Sequence, residues 1–586
     1  MLRFMLFGLA SLVACSAMAD ECHLTTYGTL PVEMMANRAT TVVKINGQDA
    51  RFILDTGASF NMMSSANAAS LGLKLEPAPM GFRISGVGGS ASVQQTHVKD
   101  FGILGSSLPK VAFIVGGTDA GMGLLGANLL DIADLEIDLA HGKLSLFQPE
   151  HCEKTSLALW AKDGNYNLAD LESGEDRNDR RTFVKVIING KPVRALIDTG
   201  AVATMIGRAA AERVGLDLQS PDAKVGSSSY GIGAKSLKTW TVKVDTFSVG
   251  SETIQHSQMQ VLDGAFGDRT EMLLGVDFVL AHHMFIANSK KKLYFTYNGG
   301  RVFTYADAPD GGDKPDASAS AHGGSDAVKS AGDYALRGQA LLARGEAVAA
   351  VAALNEAIRL APDQASYYVA RAMAHDAAQQ GDAELADLDK ALSLDPKNAD
   401  ALLQRAQHRL ALKDRAGASA DVAAAQVLAP AGSADARWVA RLYLELDQPA
   451  AALPLLDDWI RLHGNDALLG SALNERCWAR GLSNQMLDEA LKDCRKAIRR
   501  DGEHAGYLDS LGLVEFRLGH YPESIKAYEQ ALAKEPKQAW SRYGLGLAKI
   551  RAGQVDAGKA DLVAAHAIDP TIDERAAKYG LVASGP

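Results

Sequence analysis

Several features are scarce in this sequence, and each scarcity excludes something. Beyond one N-terminal stretch, no apolar run nears the ~18 consecutive residues that a membrane-spanning helix needs, so no later span is expected. There are only five cysteines among 586 residues. No Cys/His grouping has zinc spacing, so neither metal nor cofactor is called for. Basic residues are not in excess: Lys and Arg total 60 against 70 for Asp and Glu, a formal net charge of -10. With no basic cluster either, that balance argues against a nucleic-acid partner. The run Lys290-Lys291-Lys292 reads as a solvated strand turn. What remains is ordinary globular material, long enough for about three or four domains.

The N-terminus reads as a targeting segment, with Arg3 ahead of the apolar stretch Phe4 to Ala14, which is too short to cross a bilayer. Two processing readings stay open. Ala17-Met18-Ala19 suits cleavage before Asp20, giving a soluble exported protein, periplasmic or in the cell envelope of a bacterium. Leu12-Val13-Ala14-Cys15 resembles a lipobox, and the protein meets a membrane only if Cys15 is lipidated. For the other cysteines, an oxidising compartment favours disulfides Cys22–Cys152 and Cys477–Cys494. Four buried free thiols are the alternative.

The centre of the sequence is a duplication. Arg51-Phe-Ile-Leu-Asp55-Thr-Gly-Ala58 and Arg194-Ala-Leu-Ile-Asp198-Thr-Gly-Ala201 are each an apolar strand-like run ending in Asp-Thr-Gly-Ala. Each is preceded by an Asn-Gly hairpin signal, at Asn46-Gly47 and Asn189-Gly190. Each is followed by a short alanine-rich helix closed by Gly-Leu, with Gly72 and Gly215 at the same offset from the Asp. A glycine hairpin comes next, Gly86-Val87-Gly88-Gly89 or Tyr230-Gly231-Ile232-Gly233, and then Leu-Leu-Gly at 124–126 or 273–275. Gly121-Met-Gly123-Leu-Leu-Gly126 matches a dinucleotide-binding pattern only by its letters, because it does not open a βαβ unit.

Beyond a polar connector and a stretch rich in Asp, Gly, Ala, Ser and Pro, the period becomes helical. Pro362, Pro396 and Pro430 are spaced 34 apart, as are Pro536 and Pro570. The organisation expected is a signal peptide (1–19), a first β lobe (24–152), a connector (153–181), a second β lobe (182–305), a flexible linker (306–330) and a helical repeat array with a capping helix (331–586).

Two carboxylates held close together cannot both ionise, so they share a proton; one then acts as base while the other acts as acid. That is what hydrolysis of an amide by water requires. Gly57 and Gly200 allow tight backbone turns around the acids, and Thr56 and Thr199 can hydrogen-bond between the copies. With the glycine hairpins and the late Leu-Leu-Gly, both copies resemble the retropepsin type of aspartic peptidase, and the 34-residue period resembles the tetratricopeptide repeat.

The resemblance implies an all-β bilobed acid-protease fold followed by an all-α superhelix. It implies an aspartic endopeptidase in which Asp55 and Asp198 form an intramolecular catalytic pair. Thr56, Gly57, Thr199 and Gly200 support the loops, and Gly86, Val87, Gly88, Tyr230, Gly231, Ile232 and Gly233 are flap residues that close over a peptide or protein substrate. The concave face of the array is expected to take a protein partner. A scaffold whose lobes bind peptide without cleaving it is the rival reading, and pairing of lobes between two chains is a third. Copy one has Ala127-Asn128 where copy two has Val276-Asp277, so the two sides of the cleft are expected to differ.

Overall fold

The protein is described as a computed structural model covering residues 22–174, 179–226, 228–233, 235–267, 269–303 and 330–583. The stretch expected to be a signal peptide, Cys15 and nearly all of the expected linker at 306–330 lie outside the described residues.

Each half of the β region starts from its Asn-Gly turn. Asn46 and Gly47 have φ of 50° and 85°, and Asn189 and Gly190 have 47° and 76°. A tight hairpin needs left-handed backbone at both turn positions, and Asn-Gly tolerates it. These turns pair Arg38–Ile45 with Gln48–Leu54, and Phe183–Ile188 with Lys191–Ile197. The inner strand of each hairpin then receives the Leu-Leu-Gly strand in parallel. Leu124 lies opposite Ile53, and Leu273 lies opposite Leu196. These strands are buried on both faces and accordingly read as continuous apolar runs. A long hairpin completes each lobe, Gln94–Ile103 with Ser106–Val115 and Thr239–Val249 with Glu252–Leu262.

The halves are joined by a shared sheet. Asp134–Asp138 of the first pairs antiparallel with His282–Ala287 of the second, Leu135 opposite Ile286 and Ile137 opposite Met284. The strand His23–Pro31 closes one edge against Lys143–Glu150, and a Cys22–Cys152 disulfide fastens it there. Lys290 is not a solvated lysine. Its Nζ donates to the Cys152 and Thr155 carbonyls at 2.7 and 2.6 Å, and burial lowers its pKa. Lys292 of that run meets Asp170 at the surface.

The C-terminal region is a superhelix of fourteen long helices, from Ala331–Ala343 to Val555–Ile568. Small residues let neighbouring helices approach: a methyl on Gly512 or Gly544 would meet the Tyr528 ring within 3 Å. Within helix pairs, buried aspartates of the second helix meet arginines of the first, as in Arg371–Asp387, Arg405–Asp421 and Arg476–Asp493, all at 2.6 to 2.8 Å. A second disulfide joins Cys477 to Cys494. The array packs against the first lobe. Gln339 Oε1 accepts from the Met34 amide at 3.2 Å, and Leu336 lies so close to Gly142 that a methyl there would meet it at 2.7 Å.

Candidate active site

Both Asp-Thr-Gly turns stand where an inner strand ends beside the Leu-Leu-Gly strand. The Asp55 amide donates to Leu125 O and the Asp198 amide to Leu274 O, each at 2.9 Å. Two residues further on, the loop returns: Ala127 N–H donates to Ala58 O and Val276 N–H to Ala201 O, both at 2.8 Å. There is no room for a side chain at the glycine between. A methyl at Gly126 would strike Phe60 O at 2.5 Å, and one at Gly275 would strike the Ala203 carbonyl carbon at 2.4 Å.

The two turns meet. Thr56 Oγ1 donates to Ile197 O at 2.7 Å, and Thr199 Oγ1 donates to Leu54 O at 2.6 Å. Each hydroxyl also accepts the other threonine's amide at 3.1 Å. Four hydrogen bonds, buried and related by a pseudo-twofold, thus clamp one loop to the other. Above the clamp the Asp55 and Asp198 carboxyls are hydrogen-bonded to each other. Each is also held in its own turn. Asp55 Oδ1 accepts from Gly57 and Ala58 at 3.0 and 2.8 Å, and Asp198 Oδ1 accepts from Gly200 and Ala201 at 2.9 and 3.1 Å.

Burial raises the pKa of both carboxyls. Asp198 is pushed furthest, because the neighbouring Asp55 charge adds to its desolvation. Asp55 is also raised by desolvation, against amide donors and the nearby Arg38 charge, which favour its ionised form. A proton therefore stays on the pair well above the ordinary carboxylate range.

The carboxyls form the floor of a cleft of about 1240 Å³, counting space open to solvent. Its roof is asymmetric. Copy one supplies a hairpin, Arg83–Gly86 with Gly89–Ser92, turning at Val87-Gly88. Copy two supplies an irregular loop over Tyr230–Gly233, closed below by a bridge between Ser229 and Leu237 and by the pairing of Lys224–Val225 with Thr239–Val249. The tips touch: the Gly233 amide donates to Val87 O at 3.0 Å and the Lys235 amide to Gly88 O at 3.2 Å. All seven flap residues named from the sequence therefore lie at one seam over the carboxyls.

The late difference between copies is internal. Asp277 accepts from the Thr204 amide and hydroxyl at 2.8 and 2.6 Å. Thr204 Oγ1 in turn accepts from the Gly275 amide at 3.0 Å, and the counterpart of Thr204 in copy one, Asn61, accepts from the Gly126 amide through Oδ1 at the same distance. Both arrangements hold the aspartate loop onto the last strand from beneath.

Arg38 and Arg181, which sequence reasoning passed over, also line the cleft. Each stands 17 residues ahead of its aspartate, so the register of the duplication carried the signal. Arg38 donates to Gly200 O at 3.4 Å, while Arg181 is forked onto Asp179 at 2.8 Å. Among the described residues no group of three or more His, Cys, Asp or Glu is placed to hold a metal ion.

Comparison with known proteins falls on the same regions. Residues 41–131 match the family described as "gag-polyprotein putative aspartyl protease", residues 184–278 the family "Aspartyl protease", and residues 512–553 the family "TPR repeat". Over 283 residues the chain is 26% identical to Protein DNA-DAMAGE INDUCIBLE 1 of Arabidopsis thaliana, a match covering 46% of this chain and 64% of that one. Among solved structures, the TPR protein YrrB is similar at 22% identity over 33% of this chain and 96% of its own, with a TM-score of 0.29. A tetratricopeptide repeat protein from Parabacteroides merdae is similar at 16% identity over 43% of this chain and 98% of its own, with a TM-score of 0.33. The N-terminal half thus carries two aspartyl protease-like lobes, and the C-terminal half carries TPR repeats.

Proposed function

We propose that this chain is an aspartic endopeptidase whose catalytic pair, Asp55 and Asp198, is completed within one polypeptide. The observation that carries the reading is the hydrogen-bonded carboxyl pair, desolvated at the floor of a roofed cleft. In the singly protonated pair, the ionised carboxylate takes a proton from a water molecule as its oxygen attacks the scissile carbonyl carbon. The protonated partner gives its proton to the carbonyl oxygen, which yields a tetrahedral diol. Collapse of the diol breaks the C–N bond, and the leaving nitrogen receives a proton from the pair. Water enters and an acid and an amine leave, with no other reactant. The flaps shut out bulk solvent, and so keep the carboxyls' shared proton in place.

The repeats fit a role in binding a protein substrate or partner, and the two disulfides fit an exported protein in an oxidising compartment. The test is separate Asp55→Asn and Asp198→Asn exchange in the full chain, assayed on labelled unfolded casein. Each exchange is expected to abolish cleavage while circular dichroism stays unchanged. Cleavage that survives either exchange would sink the proposal and leave the lobes as a peptide-binding module.

A further inference from the structure

The loop Gly116–Met122 runs from the end of the strand Ser106–Val115 to the strand Gly123–Leu125. Gly116, Thr118, Ala120 and Met122 face the cleft. The loop has three left-handed glycines, Gly116, Gly117 and Gly121 at φ 134°, 81° and 81°, and its own bonds are few: the Gly116 amide donates to Met63 O at 3.0 Å and the Gly121 amide to Asp119 Oδ1 at 2.8 Å. It is held by the repeat array. The Asp119 amide donates to Asp466 Oδ2 at 2.7 Å, and Asp119 Oδ2 faces His463 Nε2 at 3.0 Å. All three residues are buried, at 7%, 0% and 3% exposure for Asp119, Asp466 and His463.

On the array side the contact is built as firmly. The His463 ring stacks on Trp459 at 4.1 Å, and its Nδ1 lies 2.7 Å from Trp459 O. Both ring nitrogens therefore face oxygen atoms, Trp459 O on one side and Asp119 Oδ2 on the other. Asp466 Oδ1 accepts from the Leu468 amide at 2.7 Å, and Arg500 donates to Asp466 O.

The contact continues into the other lobe. The Ala467 amide donates to Thr118 Oγ1 at 3.1 Å, and Thr118 Oγ1 donates to Gly233 O in the second flap at 3.3 Å. One hydroxyl thus links the array, the cleft wall of the first lobe and the flap of the second. A methyl on Gly117 would lie 3.4 Å from Ile232 O, so wall and flap are also in close contact.

We propose that the repeat array braces the outer wall of the substrate cleft, with His463 and Asp466 as positioning residues. Through Asp119 and Thr118 they hold the 116–122 loop and the second flap in the shape that admits an extended peptide. The array then does more than recruit: its turn between Pro449–Leu462 and Leu469–Ser483 sets how tightly the cleft takes peptide. This rests on reading the cleft as the peptide site, and the test separates the two claims.

Two full-length variants serve, His463→Ala and Thr118→Val, the second nearly isosteric so that folding is spared. With labelled unfolded casein, each is expected to raise KM by about tenfold, the worth of one lost hydrogen bond, with kcat and its pH profile retained. The double variant is expected to fall short of the product of the two effects, because both act through one chain of bonds. Independently of cleavage, amide exchange at Gly231–Gly233 is expected to quicken in His463→Ala, though His463 does not touch those residues. If wild-type protein cleaves nothing, the exchange result and binding of a hydroxyethylene peptide still test the wall. Unchanged KM and unchanged flap exchange in both variants overturn the proposal, as does a loss confined to kcat.

Discussion

A methyl group added at Gly57 would lie 2.3 Å from Asp198 Cγ, and one at Gly200 would lie 2.3 Å from Asp55 Cγ. Each glycine therefore holds space for the opposite acid. Gly57→Ala and Gly200→Ala are expected to force the carboxyls apart and abolish cleavage, which a casein assay on folded variants checks. The threonine clamp is more graded. Thr199→Ala removes the acceptor of the Thr56 amide and the donor to Leu54 O, leaving both buried groups unpaired. The cost is about 2–4 kcal/mol, readable by denaturant unfolding. The pair also sets a pH dependence. Both folded-state pKa values are raised above their unfolded values, so the associated stability is fully present at acid pH and is lost as pH rises through the raised titrations. Asp198→Asn is thus expected to melt higher than wild type at pH 8, with the difference closing near pH 4. Cleavage should persist above the ordinary carboxylate range of about 4 and fail once the pair loses its last proton.

Asp509 shows the same physics on a helix, Ala505–Arg517, far from the cleft. Burial pushes its pKa up to about 7, against the Ser541 hydroxyl that donates to it at 2.6 Å. Its stabilisation is complete below the unfolded carboxyl value and disappears as pH rises through about 7. Asp509→Asn, which keeps an acceptor for Ser541, should raise the melting temperature at pH 8, with the difference shrinking as pH falls and closing only near the unfolded carboxyl value of about 4. Of the two disulfides, Cys22–Cys152 closes a separation of 130 residues and Cys477–Cys494 one of 17. Chain entropy assigns them about 5 and about 3 kcal/mol, so Cys22→Ser should destabilise more than Cys477→Ser. Elements fixed by local chemistry were legible in the sequence: the Asn-Gly turns, the aspartate loops and the 34-residue helix pairs each repeat a short pattern. The second flap was legible only as glycines, which permit a hairpin without specifying one: its base pairs Lys224 with Thr241 and Val225 with Trp240, while its described tip is irregular. The partners of Lys290 were not legible, because carbonyls brought over from residues 152 and 155 leave no trace near position 290.

At the scale of the whole molecule, what escaped the sequence is contact across distance. His463 and Asp119 are 344 residues apart, and neither belongs to a repeat signature or an aspartate motif. The array consequently read as a separate module, whereas it lies against the first lobe through Gln339, Leu336 and the 463–467 turn. The fusion of the two lobes was more open to inference, and its geometry makes one further demand. The shared sheet, in which Leu135 pairs with Ile286, and the threonine clamp both join residues of the same chain. In this arrangement each molecule has one carboxyl pair of its own. If instead lobes paired between chains, mixing Asp55→Asn protein with Asp198→Asn protein would bring an intact Asp55 turn against an intact Asp198 turn in some assemblies and restore cleavage. Within one chain no mixture can do so, since every pair contains one Asn. Co-refolding the two variants at equal concentration is expected to give no activity above either alone, while wild type refolded beside them recovers in full and sediments as a monomer when active.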